Sequence, residues 1–427
     1  MRKKVISVLL AGLLAIGLTG CQGSGEPKKE GPAQQSDSSG DKVPVKLVVW
    51  SSGAAENFQK GADVFNSRQD EIDFQVEMQT GDYNQYLGAK VASDDLPDLF
   101  FLNPYSQVQQ FAENDRILDL SDQAFSSKIY DSVKDAYSYD GKSYAYPMCL
   151  EMLGIYYNVD LFEEAGITQI PKTFAQMEEV CAKLKEKNIT PFAATYKDGW
   201  TLNHLFSCLI GNTADDTWVQ DMNAGTGSFK NERSNEVFRF LDLMKDNSGA
   251  NYMDADSTAG FNAFASGEAA MIASGEFSLL NAESVNPDLN VGLFAIPNTD
   301  DEADAKLDVD VGICIAVNKK SSHLQETLKV LDYISDNTDK EGWMHCTADT
   351  MGAAPAAMEF ETQVAAQYYK DYTAYMESGN SKPWIYLQLP SGIADVVGPA
   401  VQGYFAGSSD MEQTLQSMDT GCKELLE

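Results

Sequence analysis

Histidine is nearly missing from this chain: His204, His323 and His345 are the three in 427 residues, and none stands at metal-ligand spacing from another. Seven cysteines are present, none in a CxxC pair, which excludes a zinc ribbon and a dithiol redox motif. There is no P-loop, no GxSxG elbow and no HExxH helix, so three common catalytic frameworks fall away. The acidic stretch Asn298 to Asp310 lacks the central glycine and closing glutamate of a calcium-binding EF-hand. No metal and no cofactor are expected. Positive charge is also scarce, with 31 Lys and Arg against 64 Asp and Glu and a net charge of −33. Such a field repels nucleic acid, phosphate ligands and anionic lipid surfaces. It keeps a surface protein soluble and says nothing against a neutral ligand.

What is there begins at the N-terminus. Arg2, Lys3 and Lys4 precede an apolar run from Val5 to Leu18, the profile of an export signal and too short to span a bilayer stably. Thr19 and Gly20 then lead into Cys21, and "LTGC" resembles the lipobox of bacterial lipoproteins, which implies acylation of the Cys21 thiol and cleavage before it. An ordinary signal peptide with an incidental cysteine is the alternative. Gln22 to Lys42 has no aromatic or branched aliphatic residue, so it cannot bury enough apolar surface to offset the entropy of ordering. As a flexible coil it reaches about 25 Å. Residues 1–20 are thus expected as a signal peptide and 21–42 as a lipidated tether, which places the protein on the extracytoplasmic face of a cell membrane.

From Val43 onward, strand-like runs alternate with helix-period segments, predicting an α/β protein with mainly parallel sheets. "KLVVW" (Lys46 to Trp50), "FQVEM" (Phe74 to Met78) and "DLFFL" (Asp98 to Leu102) read as buried strands. Phe58, Ala62 and Phe65, then Tyr83, Leu87 and Val91, make helical stripes between them. Thr173 with Gln176, and "SDME" at Ser409 to Glu412, have capping-box spacing. Met177, Val180, Cys181 and Leu184 line one helix face; so do Leu324, Leu328, Leu331 and Ile334, with His323 in that helix's first turn, and Leu415, Met418 and Cys422. The acidic stretch Asn298 to Asp310 reads as an exposed loop. Cys149, Cys181, Cys208, Cys314, Cys346 and Cys422 sit mostly among apolar neighbours and are expected as buried free thiols.

"DGKSYAYP", "YYNVDLF", "AGI" and "PKTF" follow one another between Tyr139 and Val180, flanked by "YLGAKVASDDLPDLFFL", "FASGEAAMIASGEF", "VGLFAIPN" and "DVGICIAVNKKSSHLQETLKVLDYI". Together they resemble family 1 extracellular solute-binding proteins, the maltose-binding-protein type that serve ATP-binding-cassette sugar importers. The resemblance implies a periplasmic-binding-protein type α/β fold, two α/β lobes with a hinge and an interlobe ligand cleft. It implies crossovers near Leu150 and Glu151, near Ala295 to Asn298 and just after Ile334, giving lobe 1 as residues 43–150 plus 296–338 and lobe 2 as 151–295 plus 339–427. It further implies a monomer with a carbohydrate ligand, permease subunits as partners and no catalysis.

Sugars pair C–H faces with aromatic rings and hydroxyl rims with carboxylates or amides. On that basis the ligand-binding candidates are Trp50, Ser52 and Glu56 after the first strand, and Asn103 and Tyr105 after the third, where open α/β sheets bind ligands. Glu151 sits at the first crossover, Trp200 on a loop, and Phe277 where the family commonly has a tryptophan; Asp310 and Trp384 complete the set. Bland roles compete with each: core packing for Trp50, Phe277 and Trp384, a favourable first-turn charge for Glu56, and solvated loops for the remaining polar residues. Phe277 has a smaller face than tryptophan and no N–H donor, so the ligand can differ from that of better-known members. Three rivals stay open: a non-sugar solute, an adhesive lipoprotein, and a surface glycoside hydrolase, since many carboxylates always offer acid pairs.

Overall fold

The computed structural model describes residues 42–427 except 51, 130, 216, 280–281, 337–350 and 353–362. The signal peptide, Cys21, the tether, His345, Cys346 and the lobe boundary at 338/339 lie outside these residues.

The first third builds a β-α-β-α-β unit because its central strands are mostly apolar, its edge strand alternates, and its helices are apolar on one side. Strand β1 (Val43–Val49) pairs in parallel with β2 (Ile72–Met78) and β3 (Leu99–Leu102), and every residue of β3 is buried. Helix α1 (Ser52–Ser67) buries Phe58 and Ala62; α2 (Tyr83–Ala92) buries Tyr83 and Leu87 and starts where Asp82 accepts the N–H of Gln85. Next come α3 (Ser106–Glu113), the hairpin β4 (Ser138–Tyr139) and β5 (Lys142–Ser143), and the long strand β6 (Ala145–Asn158).

The middle of the chain adds α4 (Val159–Glu164), α5 (Phe174–Glu186), β7 (Thr190–Phe192), α6 (Gly199–Gly211), α7 (Trp218–Asn223), α8 (Ser234–Asp246), α9 (Ser257–Ala265), β8 (Ala269–Gly275), α10 (Ala282–Val285) and β9 (Val291–Phe294). A second long strand, β10 (Leu307–Val317), follows, then α11 (Leu324–Ser335), β11 (Met351–Gly352), α12 (Gln363–Ser378), β12 (Ser381–Lys382), α13 (Ile393–Phe405) and α14 (Met411–Leu426). The stripe Met177, Val180, Cys181 and Leu184 is buried on α5, as are Leu415, Met418 and Cys422 on α14.

One sheet runs through the whole body in the order β2-β1-β3-β10-β6-β8-β7. It is mixed, which corrects the expectation of mainly parallel strands: β10 is antiparallel to both β3 and β6, and β6 is antiparallel to β8 and β9. The long strand β6 feeds residues into two hydrophobic cores, and β10 lies beside it in the opposite direction with its apolar residues in the first of them. One core gathers Leu47, Phe58, Phe101, Cys149, Ile315 and Leu331, together with Leu293 and Tyr368. The other gathers Ile155, Met177, Phe206, Phe240, Trp384 and Val401.

Three local expectations are corrected. The stretch Asn298 to Asp310 is not all loop: Asn298 and Thr299 are buried, and Asp308 and Asp310 are buried within β10. Asn298 donates its amide to the Leu209 carbonyl, and Asp308 pairs with Lys382 at 3.2 Å, so partners satisfy these polar groups inside. The last capping box is one residue later than read, formed by Asp410 and Gln413. His323 is the N-cap of α11 and not part of its first turn. At α5 the Thr173 hydroxyl does accept from Gln176, but the Gln176 side chain reaches back to the N–H of Lys172. Cys149, Cys181, Cys208, Cys314 and Cys422 are buried and unbridged.

Candidate functional site

Asp310 on β10 faces Glu151 on β6 across the antiparallel ladder. Cross-strand partners project from the same face, so two carboxylates stand side by side on the long strands. Glu151 folds over Gly312, where a Cβ would lie 2.1 Å from its carboxyl carbon; glycine is what leaves room for it. On the other flank of β6, Glu276 follows β8, and one of its oxygens accepts the Met152 N–H at 2.8 Å. Three carboxylates thus form a row across β10, β6 and the end of β8. Burial pushes the Glu151 and Glu276 carboxyls upward, and each negative charge disfavours the other. Burial raises Asp310 to about 6, although hydrogen bonds from Val311, Tyr105 and Trp384 pull it back.

Those hydrogen bonds make Asp310 a junction. The Tyr105 hydroxyl donates to it at 2.9 Å, and the Trp384 backbone N–H donates at 3.2 Å. Tyr105 comes from the loop after β3 and holds a positive φ of 55°, rare for a residue with a Cβ and costing about 1–3 kcal/mol. Its own N–H is held by the Ala136 carbonyl at 2.7 Å, which helps fix that conformation.

An aromatic wall adjoins the acids. Trp200, expected on a loop, stands instead in the first turn of α6, where Asp198 ends the loop as the N-cap; it is 39% exposed, the most open large ring of the group. Its ring centroid lies 5.8 Å from Phe277 and 5.2 Å from His204, one helical turn further along α6. His204 contacts Trp384 at 5.1 Å and Tyr386 at 5.4 Å, and Phe261 lies 6.4 Å from Phe277. Burial lowers the His204 imidazole to about 4, so it is neutral at pH 7, with Nε2 3.2 Å from the Tyr386 hydroxyl. The start of α6 is set by α13: a Cβ on Gly398 would come within 2.5 Å of the Gly199 carbonyl oxygen, and Gln402 donates to the carbonyls of Tyr196 and Lys197.

The candidates therefore divide. Tyr105, Glu151, Asp310, Trp384, Trp200 and Phe277 are brought together, although Trp384 is buried and serves as the inner wall. Trp50 packs edge-on against Tyr83 and Phe101 at 5.3 and 5.1 Å in the first core. Glu56 is exposed on α1, Ser52 opens that helix, and the Asn103 backbone N–H donates to Gln107. No hydrogen bond or ring contact among the described residues ties Trp50, Glu56 or Asn103 to the group. Sequence reasoning missed Glu276, His204, Tyr386 and Phe261. Their signals were adjacency to Phe277, a four-residue step from Trp200 on a helix, and a two-residue step from Trp384. A polar groove of about 610 Å³ opens beside Tyr105, lined by Lys134, Asp135 and Tyr139 on one side and Val219, Asn223 and Gln388 on the other.

With this arrangement in place, the comparisons are direct. Residues 43–341 match the bacterial extracellular solute-binding proteins, and the chain belongs to that family. Among its relatives are the multiple sugar-binding protein of Streptococcus mutans, 23% identical over 78% of each chain, and the melibiose/raffinose/stachyose-binding protein MelE of Bacillus subtilis, 22% identical over 98% of this chain and 96% of that one. Solved structures that resemble it include a chitin oligosaccharide binding protein (TM-score 0.76, 20% identity, 91% of this chain and all of the other). The solute-binding protein RafE in complex with raffinose is another (TM-score 0.76, 19% identity, 90% of this chain and all of the other). The fold is that of two-lobed binding proteins.

Proposed function

We propose that this protein is a carbohydrate receptor that delivers its ligand to an ATP-binding-cassette importer and catalyses nothing itself. The observation that carries the reading is the half-open Trp200–Phe277 wall set against the Glu151–Asp310 carboxylates. Rings pack on the C–H faces of a pyranose, and carboxylates accept from its hydroxyls. The names of the relatives support a sugar, and an oligosaccharide in particular. The lobes of the reading are residues 43–150 with 296–338 and 151–295 with 339–427. A ligand touching both has more contacts in the closed state and shifts the population towards it. Trp200, Phe277, Glu151, Asp310, Tyr105 and Trp384 form the binding set, with permease subunits recognising the closed monomer. Cys21 carries the acyl anchor on the extracytoplasmic face.

The test is a thermal-shift screen of the folded protein against mono- and oligosaccharides, because a ligand of the folded state raises Tm by mass action. One glycan class should raise it, and Trp200→Ala should weaken that ligand by at least about 1 kcal/mol with the apo Tm unchanged. A folded, ligand-free protein that responds to no sugar would overturn the reading.

A further inference from the structure

Among the described residues, the carboxylate row has no counter-charge. Among the described residues, no Lys or Arg forms an ion pair or hydrogen bond with Glu151, Glu276 or Asp310. Lys382, nearest along the fold, is engaged by Asp308 at 3.2 Å and the Cys208 carbonyl at 3.1 Å. His204 beside them is neutral at pH 7. Glu276 is 1% exposed, and while Met152 holds one oxygen, Oε1 has no hydrogen-bond partner among the described residues. A carboxylate that deep with one oxygen unpartnered is costly unless something completes it. The residue after it, Phe277, belongs to the aromatic wall, and the backbone N–H of Trp384, another residue of that wall, donates to Asp310, so acids and rings adjoin at both ends of the row.

We propose that the solute taken by this site bears a protonated amine, an amino sugar with a free ammonium being the class that fits, with Glu151, Glu276 and Asp310 as its counter-charge. This rests on the carbohydrate-receptor reading and narrows it. An ammonium brings a full positive charge to carboxyls that have no cationic partner among the described residues, and three donors of which one can meet the free Glu276 Oε1. Trp200, Phe277 and Tyr386 present π faces that attract a cation, an attraction that grows as water is excluded. A neutral hydroxyl supplies one donor but no charge, so it cannot displace the protons that burial favours on these carboxyls. The acidic surplus of the whole chain works in the same direction by raising the local concentration of cationic ligands.

The experiment is isothermal titration of the purified protein at pH 7 with matched trios that differ only at C2. These are glucose, N-acetylglucosamine and glucosamine, the galacto series, and their β-1,4 disaccharides. The expected result is an amine at least about tenfold tighter than both neutral counterparts. Its binding should release protons, read as a dependence of the heat on the buffer's ionisation enthalpy. Glu151→Gln, checked for folding by circular dichroism, should erase the preference; the proton release in the unmodified protein tests the idea independently of that variant. A neutral member that binds as tightly as its amine overturns the inference and leaves the sugar receptor standing. So does a protein that responds only to neutral sugars in the wider thermal screen. Absence of binding by any sugar, charged or neutral, overturns both.

Discussion

Asp310 shows how much one side chain can connect. Its carboxyl accepts from Tyr105, from Trp384 and from the Val311 N–H at 2.8 Å, joining the loop after β3, the long strand β10 and the segment before α13. Burial nonetheless holds it at about 6, above the ordinary carboxylate value of 3.8. Because the folded value is the higher one, the unfolded chain loses this proton first as pH rises. The contribution is fully present below about pH 4 and is lost as pH climbs through about 6. The loss corresponds to about 3 kcal/mol at most. Urea denaturation of the protein and of Asp310→Asn between pH 4 and 6.5 should therefore show stability falling with pH more steeply in the parent. Parallel pH profiles would remove Asp310 as the titrating group. Tyr105, Asp308, Glu151 and Cys314 surround it, which is why the difference between parent and variant, and not either profile alone, is the readout.

Elements matter here through who holds whom. Helix α6 carries Trp200 and His204, yet its first turn is positioned by α13, where Gly398 lets the backbones approach until a Cβ would meet the Gly199 oxygen at 2.5 Å. Gly398→Ala should push the helices apart, cost about 1–3 kcal/mol of stability, and weaken ligand binding through displacement of Trp200. The check is a denaturation curve together with a binding isotherm; an unchanged pair would show that α13 does not set the wall. Legibility at this scale followed the physics. Stripes such as Met177, Val180, Cys181 and Leu184 were readable because burial of one helix face imposes a 3.6-residue period. Strand direction was not, because "GICIAVN" is equally apolar in a parallel or an antiparallel neighbourhood.

At the scale of the whole molecule the anchor and the body are separate matters. Cys21→Ser, expressed in a host that processes lipoproteins, should release the protein from membranes into the medium; retention in the membrane fraction would overturn the lipoprotein reading. The body's organisation came through in sequence as far as local order reaches. The alternation of strand and helix determined the fold class, the motifs "DGKSYAYP" and "YYNVDLF" at their spacing carried the family resemblance, and the scarcity of histidine and the acidic surplus only narrowed what the protein could be. Trp200, Phe277, Glu151, Asp310, Tyr105 and Trp384 were each visible as candidates, because aromatic and acidic residues at strand ends and in loops carry their chemistry openly. Only the tertiary structure decided which of them share a site. It left Trp50 with Tyr83 and Phe101, drew Glu276 and His204 in, and turned Asp308 and Asp310 from a reading of loop into buried strand. The reason is that a site is made by cross-strand register and helix crossing between residues such as Tyr105 and Asp310, 205 positions apart, or Tyr196 and Gln402, 206 apart, and neither leaves a local pattern in the chain.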